Sequence, residues 1–147
     1  MDIELRFQKL SADAILPAYA TADAAGADLY ALPGESVIIP SGQTRLIHTG
    51  IALEIPKGFG GFIYARSGLA SKRGLAPANK VGVIDADYRG EIMVALHNHS
   101  DKDEEIAGGE RIAQIVFAPV ARALFTEAES LSDTERAEGG FGSTGRT

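Results

Sequence analysis

The sequence predicts an all-β protein, a jelly-roll-like antiparallel barrel or sandwich with one short helix and a flexible C-terminal arm. Three segments show the period-two alternation of half-buried strands: IELRF at 3–7, IALEI at 51–55 and EIMVAL at 91–96. Three others are short apolar runs: SVIIP at 36–40, FGGFIYA at 59–65 and RIAQIVFAPV at 111–120. Turn signals such as PGES, PSGQ, PKG, YRGE and AGGE bound these segments. Many short strands at this spacing are typical of antiparallel barrels and jelly rolls.

The helix is predicted at SGLASKRG, residues 67–74, where a serine cap precedes helix-forming residues and a glycine ends the segment. No internal repeat or linker interrupts the chain, so we expect one β domain over residues 1–126. Residues 127–147 are acidic at first and poor in large apolar side chains. Such a composition predicts a mobile arm.

Composition narrows the classes of function. The chain has 147 residues, no cysteine and a net charge of −6. The absence of cysteine excludes a disulfide framework and a thiol nucleophile, and is compatible with the cytoplasmic location that we predict. The acidic charge argues against binding to nucleic acid, and no segment approaches the roughly 20 apolar residues that span a membrane. The first ten residues lack the apolar run of a signal peptide. An anionic ligand would need a locally positive site.

Two segments in the first half of the chain carry candidate side chains. AGADLYA at 25–31 places Asp28 in a strand of small and apolar residues, where a carboxylate is most often exposed on a strand edge. ARSGLASKRG at 65–74 brings the guanidinium of Arg66, the hydroxyl of Ser67 and free backbone N–H groups to one point. That combination suits a phosphate, but an ordinary serine-capped helix with a surface arginine fits the same residues.

The segment ANKVGVIDADYRGEI at 78–92 is the richest in polar side chains. Asp85, Asp87 and Tyr88 fall in a predicted hairpin that follows Asn79 and Gly82. A hairpin backbone and an asparagine amide can both donate to and accept from the edge of a base. A carboxylate beside bound phosphates can deprotonate a water, although aspartate-rich turns are usually only turns.

In GERIAQIVF at 109–117, Gln114 lies among apolar residues and shares the parity of Ile112 and Val116. A buried amide is costly unless it is paired, so we expect a backbone or ligand partner. His48, His97 and His99 lack a third nearby ligand and are not predicted to bind a metal.

Together with RAEGGFGSTG at 136–145, these segments resemble the five motifs of the trimeric dUTP pyrophosphatase (dUTPase) family, in order and with typical spacing. The resemblance covers nearly the whole chain. It implies a jelly-roll fold and a homotrimer with three active sites, each built from all three chains. It also implies hydrolysis of dUTP to dUMP and pyrophosphate, which limits uracil incorporation into DNA and supplies dUMP for thymidylate synthesis.

The resemblance also implies a role for each matching residue. Arg66, Ser67, Gly68 and Gln114 would bind phosphate, the last partly through water. Uracil would be recognised by Asn79 and the hairpin backbone at Gly82, Val83, Ile84 and Asp85. Asp85 would be the base that activates water, and Tyr88 would pack under the deoxyribose and exclude a 2′-hydroxyl. Met93 corresponds to a further position of the substrate pocket. Mg²⁺ would sit on the triphosphate, with Asp28 holding it through water.

In the C-terminal arm, Phe141 is similar to the family's phenylalanine that stacks on uracil. The residues that match the groups gripping the γ-phosphate are Arg136, Gly142, Ser143 and Thr144. Ordering ten residues costs roughly 10–20 kcal/mol of backbone entropy, which a glycine-rich tail cannot recover by packing alone. We therefore expect the arm to close only over bound substrate.

Two other functions stay open at the level of sequence. One is a deaminase of the dCTP deaminase type, which shares the fold but needs a group that activates water at the base ring. The other is a non-catalytic nucleotide-binding protein on the same fold, against which Asp85 and the intact tail argue.

Overall fold

The computed structural model describes residues 1–34 and 36–145. Within them lie eleven strands and one helix. In chain order these are β1 (Arg6–Lys9), β2 (Ala18–Tyr19), β3 (Ala27–Tyr30), β4 (Val37–Ile39), β5 (Thr44–Glu54), β6 (Phe59–Tyr64), α1 (Ser67–Arg73), β7 (Leu75–Pro77), β8 (Gly82–Ile84), β9 (Glu91–Asn98), β10 (Glu104–Ile106) and β11 (Arg111–Pro119).

The strands form three antiparallel sheets. The largest has the order β2-β3-β11-β6-β8, a four-stranded sheet has the order β1-β5-β9-β7, and β10 pairs with β4. The two larger sheets contribute the buried side chains between them, among which Leu29, Ile92, Leu96, Ile112 and Ile115 have no exposed surface. This confirms the predicted all-β, jelly-roll-like architecture with one short helix.

The predicted hairpin over 78–92 is wrong in its pairing. Strand β8 pairs with β6, whereas β9 pairs with β5 and β7, so the two strands belong to different sheets. The segment between them crosses from one sheet to the other, and it begins with a turn in which Tyr88 N–H donates to Asp85 O at 3.1 Å. The crossing thus gives β8 to the five-stranded sheet and β9 to the four-stranded sheet, which bury their apolar side chains in one core.

Helix α1 occupies the predicted position, but its predicted serine cap is wrong. Ser67 is already the first helical residue, and the N-cap is Arg66, which is extended and caps with no side-chain hydrogen bond. The extended conformation of Arg66 is the usual one for an N-cap residue, and its side chain pairs with Asp28 of β3. At the other end Gly74 adopts the left-handed conformation (φ 67°) and donates to Ala70 O, as the glycine signal predicted.

Arg73, at the end of α1, anchors the helix to the chain around β10. Its Nε donates to Glu104 Oε2 at 2.8 Å, Nη1 donates to the carboxylate of Glu110, and Nη2 donates to the carbonyl of Glu105. Glu104 is nearly buried. The hydrogen bond from Arg73 lowers the pKa of Glu104 from its ordinary value of 4.5, although burial opposes this shift.

Beyond β11 the described chain has no helix or strand. Val120 N–H still donates to Gly58 O at 2.9 Å, but every recorded hydrogen bond of residues 121–145 joins two residues of that same segment. The side chains of Leu124, Phe125 and Leu131 are almost fully exposed. The boundary at residue 126 and the mobility of the arm stay predictions, and the arm's last two residues lie outside the described residues. Among described residues, no helix is long and apolar enough to cross a membrane.

The Arg73–Glu104 pair predicts an acid-dependent stability. A carboxylate whose pKa is lower in the folded state stabilises the fold above the unfolded pKa, and this contribution disappears as the pH falls through the folded pKa. Urea unfolding of Glu104→Gln should therefore show less stability than wild type at pH 7 and a smaller further loss below pH 4.5. Glu105→Gln, at an exposed neighbouring side chain, is the matched control. An acid dependence identical to wild type in Glu104→Gln would contradict the assignment.

Candidate active site

Asp28 lies in β3 with only 7% of its surface exposed, so the expected exposed position on a strand edge is wrong. Strand β3 is flanked by β2 and β11, and Asp28 is directly opposite Gln114. Its Oδ1 accepts from Arg66 Nε at 2.8 Å, and its Oδ2 lies 3.4 Å from Arg111 Nη1. A buried carboxylate is tolerated when it is paired in this way. The charge of Asp28 thus holds two guanidinium groups at one end of the sheet.

The start of α1 lies directly beside this ion pair. Ala70 N–H donates to Arg66 O at 3.0 Å, so the N–H groups of Ser67 and Gly68 precede the first helical bond. No atom lies within 4 Å of the position where a Cβ of Gly68 would be. Arg66, Ser67 and Gly68 therefore present a cation, a hydroxyl and open backbone to the same space.

Gln114 meets the expectation of a partner for its amide, and that partner is backbone. Its Nε2 donates to Ala65 O at 2.9 Å, one residue before Arg66. A methyl group on Gly26 would lie 2.6 Å from Gln114 Oε1, so the glycine leaves room for the amide. The expected shared parity with Ile112 is wrong, because a bulge between Arg111 and Ala113 shifts the register: Ile112 is buried and Gln114 is half-buried.

A cavity of about 240 Å³ lies where the chain crosses between the two sheets. Five of the predicted site residues line it, and they come from β8, the crossing and β9: Val83, Ile84, Asp85, Tyr88 and Met93. Leu46 of β5 and Glu91 of β9 complete the lining and were not predicted. Asp87 lies instead in a separate cavity with Arg6, Glu54 and Arg89. The structure therefore places Asp85 and Asp87 in different environments, which their equal strand parity did not distinguish.

Asn79 and Gly82 lie together at the other end of β8. The chain turns sharply before β8, with Lys80 in the left-handed conformation (φ 65°) and Val81 N–H donating to Asn79 O at 2.7 Å. A methyl group on Gly82 would lie 3.5 Å from Asn79 Nδ2. The exposed amide of Asn79 is therefore available beside the backbone of β8.

The predicted site residues of the arm lie away from the cavity of the same chain. None of them lines it. Arg136 Nε donates to Gly139 O at 2.8 Å within the arm, and Phe141 is fully exposed. Gly142, Ser143 and Thr144 are also exposed.

The histidines form no metal centre in the described part of the chain. The rings of His97 and His99 meet edge to face at 4.5 Å, and His97 Nδ1 lies 2.9 Å from Thr44 Oγ1. His48 Nδ1 lies 2.9 Å from Glu91 Oε2. Residues 1–34 and 36–145 contain no group of three or more histidine or acidic side chains that could hold a metal ion by themselves.

Comparison with known proteins gives one consistent result. The dUTPase family model matches residues 12–145. The chain is 53% identical over 144 residues to a deoxyuridine 5′-triphosphate nucleotidohydrolase of Nautilia profundicola, covering 98% of this chain and all of that one. It is 54% identical over 131 residues to the protein of the same name from Desulfitobacterium hafniense (strain DSM 10664 / DCB-2), covering 88% of this chain and 87% of that one.

Solved structures show the same similarity. A mutant dUTPase of Staphylococcus bacteriophage 80alpha with dUpNHpp superposes with a TM-score of 0.89 at 29% identity, over 97% of this chain and 99% of that one. A mutant dUTPase of phage phi11 of S. aureus, in which a structural Mg(II) ion is coordinated, has a TM-score of 0.78 at 25% identity, over 87% and 98% of the two chains. The family match over most of the chain, the close relatives and the shared fold establish that this chain belongs to the dUTPase family.

Proposed function

We propose that this protein hydrolyses dUTP to dUMP and pyrophosphate, with Asp85 as the base that activates water. The observation that carries the proposal is the position of Asp85 in the wall of a small cavity, together with Tyr88 and Met93. The relatives that match the chain almost end to end are deoxyuridine 5′-triphosphate nucleotidohydrolases. We also propose a cytoplasmic location, which the absence of cysteine supports.

The base end of the site uses an edge strand. β8 is the last strand of its sheet and pairs only with β6 within the described residues. The other edge of Gly82, Val83 and Ile84 can therefore offer N–H and C=O groups to uracil, and the amide of Asn79 adds a donor and an acceptor. A cytosine edge reverses this pattern and would leave polar groups unpaired, a mismatch that can cost a factor of ~10⁴–10⁵.

The phosphate end of the site is formed by Arg66, Ser67, Gly68 and Gln114. Asp28 already orients the guanidinium of Arg66, so less side-chain entropy is lost when a phosphate binds. Gln114 holds the carbonyl of Ala65 and thereby fixes the entry to α1. A direct or water-mediated contact of Gln114 with phosphate is part of the proposal.

The proposed step is an in-line displacement at the α-phosphorus. A water oxygen forms the new bond to phosphorus, its proton passes to Asp85 Oδ, and the bond to the bridging oxygen breaks as pyrophosphate leaves. General-base assistance of this kind typically contributes ~10²–10⁴-fold to the rate. Arg66 and backbone N–H groups stabilise the charge on the phosphate oxygens.

Mg²⁺ is proposed as the cofactor, held mainly by the triphosphate. The described residues build no resident cage of three ligands, which fits a metal that arrives with the substrate. Asp28 has one ion pair on each carboxylate oxygen, and its remaining lone pairs can accept from metal-bound water. The chemistry that bound Mg²⁺ supplies is neutralisation of charge on the phosphate oxygens.

We further propose that the protein is a homotrimer whose active sites are shared between chains. The arm makes its recorded hydrogen bonds only with itself, and its large apolar side chains are exposed, which is unfavourable for an isolated chain. In a trimer, Arg136 and residues 142–144 would grip the γ-phosphate, and Phe141 would stack on uracil. Residues 1–126 would be the β domain and 127–147 the arm.

Identification of products tests the reaction directly. Incubation with dUTP, dCTP and UTP in Mg²⁺ should give pyrophosphate and dUMP from dUTP, and far less product from the other two nucleotides. Release of ammonia from dCTP would favour a deaminase. Absence of any product would favour a non-catalytic nucleotide-binding protein.

Asp85→Asn tests the base, because the amide keeps the shape of the side chain and cannot take the proton. We expect turnover to fall by at least ~10²-fold while binding of a non-hydrolysable dUTP analogue, measured by calorimetry, changes little. Asp87→Asn is the matched control, since Asp87 lies in the neighbouring cavity. An inactive Asp87→Asn beside an active Asp85→Asn would reverse the assignment.

A further inference from the structure

The ring of Tyr88 rests against a surface that only glycine can provide. A methyl group on Gly90 would lie 2.5 Å from Tyr88 Oη, 2.6 Å from Cζ and 3.0 Å from Cε2. These separations are well inside van der Waals contact, so any larger residue at position 90 would displace the ring. Tyr88 is partly exposed, and its ring is therefore not fixed by burial alone.

The hydroxyl of Tyr88 is held by Glu91, the residue that follows Gly90. Tyr88 Oη donates to Glu91 O at 2.9 Å. The carboxylate of Glu91 is itself fixed, because Oε1 accepts from Gly50 N–H at 2.8 Å and Oε2 lies 2.9 Å from His48 Nδ1. Glu91, whose carbonyl accepts the tyrosine hydroxyl, is thus bound through its side chain to the neighbouring strand β5.

The anchor on β5 is also rigid. Gly50 has φ 69°, and a methyl group there would lie 2.8 Å from Leu32 Cδ1 and 2.9 Å from Ala14 Cβ. The register of β5 and β9 shifts between His48 and Ala52, so the bulge turns the N–H of Gly50 toward the carboxylate of Glu91.

We propose that Gly90 is a specificity-determining position of this enzyme, which acts by seating the ring of Tyr88 where it excludes a ribose 2′-hydroxyl. Glu91 is a positioning residue: its carbonyl holds the hydroxyl of Tyr88, and its carboxylate binds β5. The inference rests on the proposed dUTP hydrolysis and on the sugar contact that the family resemblance implies for Tyr88, and it assigns roles to Gly90 and to the backbone carbonyl of Glu91.

Gly90→Ala should therefore change selectivity. The displaced ring loses its bond to Glu91 O, and the volume that it kept closed opens to a 2′-hydroxyl. We expect the ratio of kcat/KM for dUTP to that for UTP to fall by about tenfold or more, the size of effect that one misplaced group has in a fitted pocket.

The test is a double-mutant cycle on that ratio. In a Tyr88→Ala background, Gly90→Ala should change the ratio by less than about twofold, because its effect passes through the ring. Gly58→Ala is the control for the general cost of the substitution: Gly58 has a positive φ (88°), unlike Gly90, so its backbone cost is larger, and a methyl group there meets no atom within 4 Å. The Gly58→Ala protein should have the wild-type ratio of kcat/KM for dUTP to that for UTP, even if its melting temperature is lower.

Two results would overturn the inference: a wild-type ratio in Gly90→Ala, or an equal fall of the ratio with and without the Tyr88 ring. Where Gly90→Ala does not fold, Tyr88→Phe carries the test, since it removes only the hydroxyl that Glu91 holds. An unchanged ratio in Tyr88→Phe then overturns the inference, and a lowered ratio supports it. A wild-type protein that does not hydrolyse dUTP would instead overturn the proposed function.

Discussion

The carboxylate of Asp28, buried inside the five-stranded sheet, is the constraint on which the proposed phosphate end of the site depends. A charge at that depth is stable only with close partners, and Arg66 and Arg111 supply them from two other segments of the chain. Arg66 is the extended N-cap of α1, so the helix begins at Ser67 and its first N–H groups open next to the paired guanidinium. In the proposed function, these guanidinium groups give an acidic protein a place for a highly anionic substrate.

Strand β6 connects this phosphate end with the base end. It pairs with β11, which carries Gln114, on one side and with β8 on the other. The register of β8 places Gly82 opposite Ile63, near the start of α1, and Ile84 opposite Gly61, so Asp85 follows the end of β8 that is farther from α1 in the same chain.

Much of this arrangement could be predicted from the sequence, because five motifs in order specify both the fold and the parts of the site. What could not be predicted depends on non-local pairing. Asp28 was predicted to be exposed because the sequence of one strand does not indicate which strands flank it. The hairpin prediction was wrong because the choice of pairing partner depends on the tertiary structure. Arg111 and Glu91 carry no local signal beyond their charge. Gly26 and Gly90 act through the side chain that they lack, which becomes visible only when Gln114 and Tyr88 are placed beside them.

We propose that each site combines residues of the β domains with the arm of another chain. Mixing two defective chains tests it most directly: an Asp85→Asn chain with an intact arm, and a chain with intact Asp85 that ends at residue 135. Each alone is expected to be inactive on dUTP. Denaturing and refolding them together should restore hydrolysis, since mixed assemblies contain sites with an intact Asp85 and an arm from the other chain. A mixture that stays inactive although mass measurements show mixed assemblies, or an active monomer, would contradict the account.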